Sequence, residues 1–194
     1  MIIPKVLLTP VPMPHSAPDA ESRARRVELI LMDVDGVLTD GRIMFVPDGR
    51  GGMNEVKMFD VQDGVGITFV HRAGLRTGII TGRTSESVAA RTKELGIEIV
   101  EQGTWNKLET YENVRERVQL DDAKIAFIGD DLQDLPILRR VGFGVGVANA
   151  RPEVKEVCHL LTERAGGRGA VREALEFILR AQGKWEKILE RYRV

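Results

Sequence analysis

One cysteine in 194 residues, Cys158, excludes a disulfide framework and points to a reducing, cytoplasmic setting. It lies where a small buried apolar residue fits and reads as structural. Aromatic residues make up 5% of the chain and are not interleaved with basic ones. With 28 Lys+Arg against 29 Asp+Glu, the formal charge is −1 and no basic patch stands out. Both features argue against nucleic acid as a partner. No apolar run approaches the roughly 20 residues a membrane-spanning helix needs, so no membrane association is expected. Proline is scarce except at the start, where five of the eight fall within the first 18 residues. That opening is interrupted too often to form a signal-peptide core and reads as an extended or disordered leader over 1–22. The remainder, 23–194, is the size of one domain with a full core.

After the leader, short apolar runs alternate with helical patterns, which is the signature of a parallel sheet layered between helices. The runs fall at 28–33, 76–81, 97–100, 124–129, 143–148 and 159–162. Helices are expected near 64–74, 84–95, 107–119, 132–141, 151–157 and 168–182, with a further turn or two to about 192. Val171, Leu175, Ile178, Trp185 and Ile188 recur at helical spacing and read as core or subunit contact. Between Gly41 and Asp60 the alternation breaks: two strand-like pieces flank Pro47-Asp48-Gly49-Arg50-Gly51-Gly52, a β-hairpin by its turn chemistry.

The most informative segment is 29–41, LILMDVDGVLTDG. An apolar strand ends in Asp33 and Asp35, with Gly36 as the turn. Carboxylates at the tip of such a strand face a ligand crevice rather than the core. One can act as nucleophile while holding a cation; the other can donate and recover a proton. An isolated Asp-x-Asp also fits an exposed strand end, or half of a divalent-metal site. Further along, a second strand ends in Thr81-Gly82-Arg83, Lys107 opens an amphipathic stretch, and a third strand ends in Gly129-Asp130-Asp131 with Asp134 beyond.

Taken in order, these four pieces resemble the haloacid dehalogenase superfamily of phosphotransferases over roughly residues 27–180. The resemblance implies an α/β Rossmann-like three-layer sandwich with a central parallel sheet and a projecting β-hairpin. These enzymes often carry a cap domain between the first and third motifs. Only a hairpin and one helix separate Asp35 from Thr81, and about 25 residues separate Thr81 from Lys107, so no cap domain is expected. An open site then serves a macromolecule or is covered by another subunit.

The resemblance also implies roles. Asp33 attacks phosphorus and becomes an aspartyl phosphate. Asp35 protonates the leaving alcohol and later activates water. Thr81 binds a phosphoryl oxygen and Lys107 neutralises charge; alone, a lysine at a helix start reads as solvated. Mg²⁺ is held by Asp33, the Asp35 carbonyl and Asp130, an all-oxygen set that suits this ion. One of Asp131 and Asp134 orients the metal's waters or Lys107, while the other caps the helix near Leu132. Arg83 and Arg91 lie two helical turns apart and suit a second anionic group, although two solvated helix charges give the same spacing.

One branch is matched more closely, through Asp33–Gly41, Lys57–Gly66 (KMFDVQDGVG), Thr81–Arg83, Gly129–Pro136 and Gly166–Glu173 (GGRGAVRE). These segments resemble the 3-deoxy-D-manno-octulosonate 8-phosphate phosphatases and their relatives, which are capless, magnesium-dependent, cytoplasmic homotetramers. In them the hairpins meet at the tetramer centre, and a neighbour's segments help close each site. Carried over by motif, the substrate loop is Asp60, Val61, Gln62, Asp63 and Gly64, joined by Asp35, Thr68, Arg83, Arg91 and Lys107. Asp60 stands where asparagine is common, and Thr68 where a basic residue occurs in some members. The expected substrate is therefore an eight-carbon sugar acid 8-phosphate. A nine-carbon ulosonate 9-phosphate, a phosphoprotein, and a non-catalytic accessory role remain as alternatives.

Overall fold

The computed structural model describes residues 16–192. Its centre is a six-stranded, all-parallel sheet in the order β5-β4-β1-β6-β7-β8. The strands are β1 (Leu29–Met32), β4 (Arg76–Ile80), β5 (Ile99–Glu101), β6 (Ile125–Gly129), β7 (Phe143–Gly146) and β8 (Leu160–Leu161). Each overlaps one of the apolar runs. Every residue of β1, β6 and β7 is buried. A strand covered on both faces reads as a continuous apolar run, not as an alternating one.

Helices complete the three layers. They are α1 (Ala20–Ala24), α2 (Val61–Arg72), α3 (Glu86–Leu95), α4 (Lys107–Val118), α5 (Leu135–Leu138), α6 (Pro152–Lys155), α7 (Ala170–Ala181) and α8 (Trp185–Leu189). α7 packs along α2 and against α1, and α4 packs against α5. No separate cap body lies between β1 and β6 among the described residues. Pro136 sits at the start of α5, so the expected helix over 132–141 becomes a 3-10 turn, Leu132–Asp134, followed by one short helix.

The hairpin is β2 (Met44–Pro47) paired antiparallel with β3 (Met53–Val56). Asp48 Oδ1 closes its turn by accepting from the backbone N–H groups of Arg50 (2.7 Å) and Gly52 (2.8 Å). All four residues of β2 are exposed, whereas Glu55 and Val56 at the end of β3 are half-buried against the domain.

The boundary drawn at residue 22 moves back. Residues 1–15 lie outside the described residues, but 16–22 belong to the domain. Ser16 bridges Leu160 on the sheet edge, the Ala17 N–H donates to His159 O (2.8 Å), and Ala20 and Ala24 are buried in the core. Gln182 Nε2, just past α7, donates to the carbonyls of Ala24 (3.2 Å) and Val27 (2.8 Å). Proline density hid this segment because its helix has five residues and buries only alanines.

The joint between α2 and α7 contains a buried carboxylate. Asp63 Oδ1 accepts from the Arg172 N–H (2.7 Å) in the first turn of α7, while Oδ2 has no partner. Burial, with Asp60 nearby, pushes Asp63 up to about 6 from 3.8. A carboxyl group with a raised folded-state pKa lowers stability fully above about pH 6, and the penalty disappears as pH falls below 3.8. Asp63→Asn keeps the cap on α7 and removes the charge. The variant is expected to be more stable than wild type at pH 7.5, by on the order of 1–3 kcal/mol. The gain should shrink towards zero near pH 4, as read by thermal melts across that range.

Candidate active site

β1 lies between β4 and β6, so the three strand ends that carry the motifs are neighbours. The chain leaves the sheet here in different directions, and the carboxyl ends of the strands border a crevice. Asp33 follows β1, Thr81 follows β4 and Asp130 follows β6; Lys107 reaches in from the first residue of α4.

Lys107 is 4% exposed, and its Nζ lies 2.9 Å from Asp33 Oδ2 and 2.7 Å from Asp134 Oδ1. Asp134 is fully buried, and its Oδ2 accepts from the N–H groups of Asp130 (2.9 Å) and Asp131 (3.3 Å). Asp131 caps the turn that follows, accepting from the Leu132 N–H (2.7 Å). The acidic cluster thus divides its work: Asp134 positions Lys107, and Asp131 starts the turn. Burial tends to neutralise Lys107, but Asp33 and Asp134 outweigh it and hold the ammonium above its ordinary value.

Asp33, Asp130 and Asp134 each offer a carboxylate oxygen, all within 4.8 Å of one another. Burial raises Asp33 to about 6; Asp134 pushes the same way and Lys107 opposes. Burial, then Asp33, Asp134 and Asp131, raise Asp130 to about 7. Asp134 has committed its oxygens, whereas Asp130 Oδ1 is buried with no hydrogen-bond partner. An orphaned buried carboxylate oxygen beside a second carboxylate fits a hard divalent cation. Gly36 preserves that space: its φ is +89°, and a Cβ there would lie 2.1 Å from Asp130 Oδ2.

Asp35 is half-buried and heads a different network. Its Oδ1 accepts from Lys57 Nζ (2.5 Å) and lies 3.5 Å from Thr39 Oγ1. Arg83 Nε lies 3.8 Å from Oδ2, and the same guanidinium pairs with Glu55.

Asp60 to Gly64 is the cap and first turn of α2 rather than a loop, because Asp60 accepts from the Gln62 N–H (2.7 Å). Val61 is exposed, Gln62 Oε1 accepts from Arg164 (2.8 Å), and the Asp63 side chain is turned inward to α7. Thr68 Oγ1 donates to Gly64 O (3.1 Å) within the same helix. Arg91 packs against Gly64 and Phe59 and pairs with Glu94 (2.9 Å); its Nε is buried without a hydrogen-bond partner. Arg83 thus joins the Asp35 network, whereas Arg91 packs on the first turn of α2.

Three contributors were not singled out from the sequence. Lys57 and Glu55, on β3 and just past it, join Asp35 and Arg83. Asn149 donates to Gly36 O (2.9 Å) and accepts from the Gly166 N–H (2.7 Å). A Cβ at Gly166 would lie 1.8 Å from Gly36 O, so the GGRG turn presses directly on the loop after β1. This gives the glycine-rich turn a role within one chain.

The fold and the strand-end carboxylates define a class, and residues 79–175 match the haloacid dehalogenase-like hydrolase family. The chain belongs to that family. It is 39% identical over 169 residues to the 3-deoxy-D-manno-octulosonate 8-phosphate phosphatase KdsC of Escherichia coli strain K12, covering 87% of this chain and 88% of that one. The enzyme of the same name from Moraxella catarrhalis, solved with a magnesium ion, a phosphate ion and KDO, superposes with TM-score 0.86 at 37% identity. The match covers 90% of this chain and 98% of that one. The Yersinia pestis enzyme matches with TM-score 0.82 at 39% identity, covering 87% and 89%.

Proposed function

We propose that this protein is a magnesium-dependent phosphatase that hydrolyses 3-deoxy-D-manno-octulosonate 8-phosphate to the free sugar acid and phosphate. The observation that carries the reading is the buried Asp33–Lys107–Asp134 relay beside the unpartnered oxygen of Asp130. Similarity along nearly the whole chain to enzymes named for that substrate supports it.

Asp33 is the nucleophile: its oxygen bonds to phosphorus as the bond to the sugar alcohol breaks, giving an aspartyl phosphate. Lys107 holds the attacking carboxylate in place and offsets charge on the phosphoryl oxygens. Thr81, 2% exposed at the tip of β4, is the hydroxyl for a phosphoryl oxygen. Asp35 gives its proton to the leaving alkoxide, then takes one from the water that releases phosphate. Asp33, Asp130 and the Asp35 carbonyl would hold Mg²⁺, which would supply charge neutralisation at the phosphoryl group. The sugar acid's carboxylate is taken by Arg83 and Arg91, and the α2 cap contacts its body through Asp60–Gly64 and Thr68.

The working unit is a cytoplasmic homotetramer built on the hairpin. Ile43, Met44, Phe45, Val46 and Met53 are all exposed there, and an apolar two-stranded ribbon is marginal alone in water. The cytoplasmic assignment is supported by the single unpaired cysteine.

The test is phosphate release from the eight-carbon 8-phosphate with and without magnesium, beside the nine-carbon 9-phosphate and an Asp33→Asn control. Light scattering on the same sample reports the assembly. Magnesium-dependent turnover of the eight-carbon ester by a tetramer is expected, with a loss of at least about 10³-fold in Asp33→Asn. Preference for the nine-carbon ester would overturn the substrate and keep the chemistry. Turnover of neither would overturn the enzyme reading.

A further inference from the structure

Lys57 has a side chain as deeply buried as that of Lys107. Its side chain is 2% exposed, although it follows a ribbon whose first strand is open to solvent. A buried ammonium needs compensation, and two carboxylates supply it: Asp35 Oδ1 at 2.5 Å and Glu55 Oε1 at 3.1 Å. Arg83 completes the group by pairing with Glu55 and approaching Asp35 Oδ2 at 3.8 Å. Lys57 and Arg83 thus hold Asp35 and Glu55 between them.

We infer that Lys57 is a positioning residue for Asp35, fixing the rotamer that aims one particular carboxylate oxygen at the leaving group. Asp35 Oδ1 is tied inward by Lys57, with Thr39 Oγ1 at 3.5 Å. Oδ2 is buried without a hydrogen-bond partner, with Arg83 Nε 3.8 Å away. Of the two oxygens, Oδ2 is the one free to carry the proton. That proton passes to the ester oxygen as its bond to phosphorus breaks and the Asp33 oxygen takes the phosphorus. The inference rests on the phosphatase reading above and adds a component from the hairpin, one residue beyond the end of β3. It also places the hairpin in the reaction, since Lys57 and Glu55 both reach the site from it.

A misaligned acid harms esters in proportion to how much their leaving group needs a proton. A sugar alcohol is a poor leaving group and needs it fully; p-nitrophenolate leaves with little help. The experiment measures kcat/KM, which reports only steps up to alcohol departure, for the sugar acid 8-phosphate and for p-nitrophenyl phosphate. Wild type, Lys57→Met and Lys57→Arg are compared, with the magnesium half-saturation of each. Lys57→Met is expected to lose about 10²-fold on the sugar ester, at the low end of what a positioned acid contributes. The same variant should lose less than tenfold on the nitrophenyl ester, with magnesium dependence unchanged. Lys57→Arg should recover at least a tenth of the wild-type rate on the sugar ester. Equal losses on both esters, a changed magnesium requirement, or no loss at all would overturn the inference. If Lys57→Met does not fold, Lys57→Ala, which removes the donor and leaves room for water beside the two carboxylates, carries the same comparison. Wild type inactive on both esters would instead overturn the phosphatase reading, a result separate from any outcome at Lys57.

Discussion

Gly36→Ala is expected to cut magnesium-dependent turnover sharply while leaving a folded protein. The added methyl would lie 2.1 Å from Asp130 Oδ2 and 2.7 Å from its Cγ, so the carboxylate must swing out of the metal site. The position also has φ +89°, where an L side chain is strained by roughly 1–2 kcal/mol. Gly41→Ala separates these effects. It shares the positive φ, at +77°, but its nearest neighbours, atoms of Gly36, are at 3.5 Å, an ordinary contact. Both variants should melt a few degrees below wild type. Only Gly36→Ala should lose magnesium binding by calorimetry and activity by on the order of 10²–10³-fold, the scale of a reacting group misplaced by an ångström or more. Equal magnesium affinity in the two variants would show that Asp130 is not a ligand.

Lys107→Met should lower both rate and stability. It leaves Asp33 Oδ2 and Asp134 Oδ1 facing each other without the ammonium between them, in a pocket that already crowds three carboxylates within 4.8 Å. Removing one partner of a buried ion pair costs about 3–5 kcal/mol. With the lysine in place, Asp33 is at about 6 and Asp130 at about 7, both above 3.8; without it both rise further. Carboxyl groups with raised folded-state pKa values hold protons that the unfolded chain releases, so stability falls as pH rises from about 4 through 7. Lys107→Met should therefore be least stable near pH 8 and approach wild type near pH 4.5. Added magnesium at pH 8 should restore part of the loss by supplying positive charge. Turnover should fall by on the order of 10²–10³-fold, as for loss of a single oxyanion donor. A variant whose melting temperature ran parallel to wild type across this range would refute the electrostatic account.

The sheet, the hairpin and the four motif pieces were legible because each leaves a local mark. Strands buried on both faces read as apolar runs, Asp48-Gly49 marks a turn, and aspartates just past a run mark a strand tip. Residues whose roles come from distant contacts were not legible. Lys57 and Glu55 look like solvated strand charges until Asp35, 22 residues before Lys57, is brought beside them. Asp63 sits in a substrate-like motif, yet its partner is Arg172, 109 positions away. Asn149 looks like an ordinary loop amide, and only the packing of Gly166 on Gly36 explains it. One missed signal was local: Asp60 ahead of VQDGVG is an N-cap, and it starts α2 earlier than apolar periodicity suggested.

The brace between the loop after β1 and the GGRG turn bears on how the site comes into being during synthesis. Gly36 is held by Asn149, and the Gly167 N–H donates to Val37 O (3.0 Å), so residues more than a hundred positions apart clamp the first motif. Asp33, Lys107 and Asp134 likewise meet only after β6 pairs with β1. A ribosome-bound chain that has released only its amino-terminal half carries the nucleophile but not Lys107, Asp134 or the clamp. Such contacts of high sequence separation form late. The complete site therefore requires the chain through Gly167.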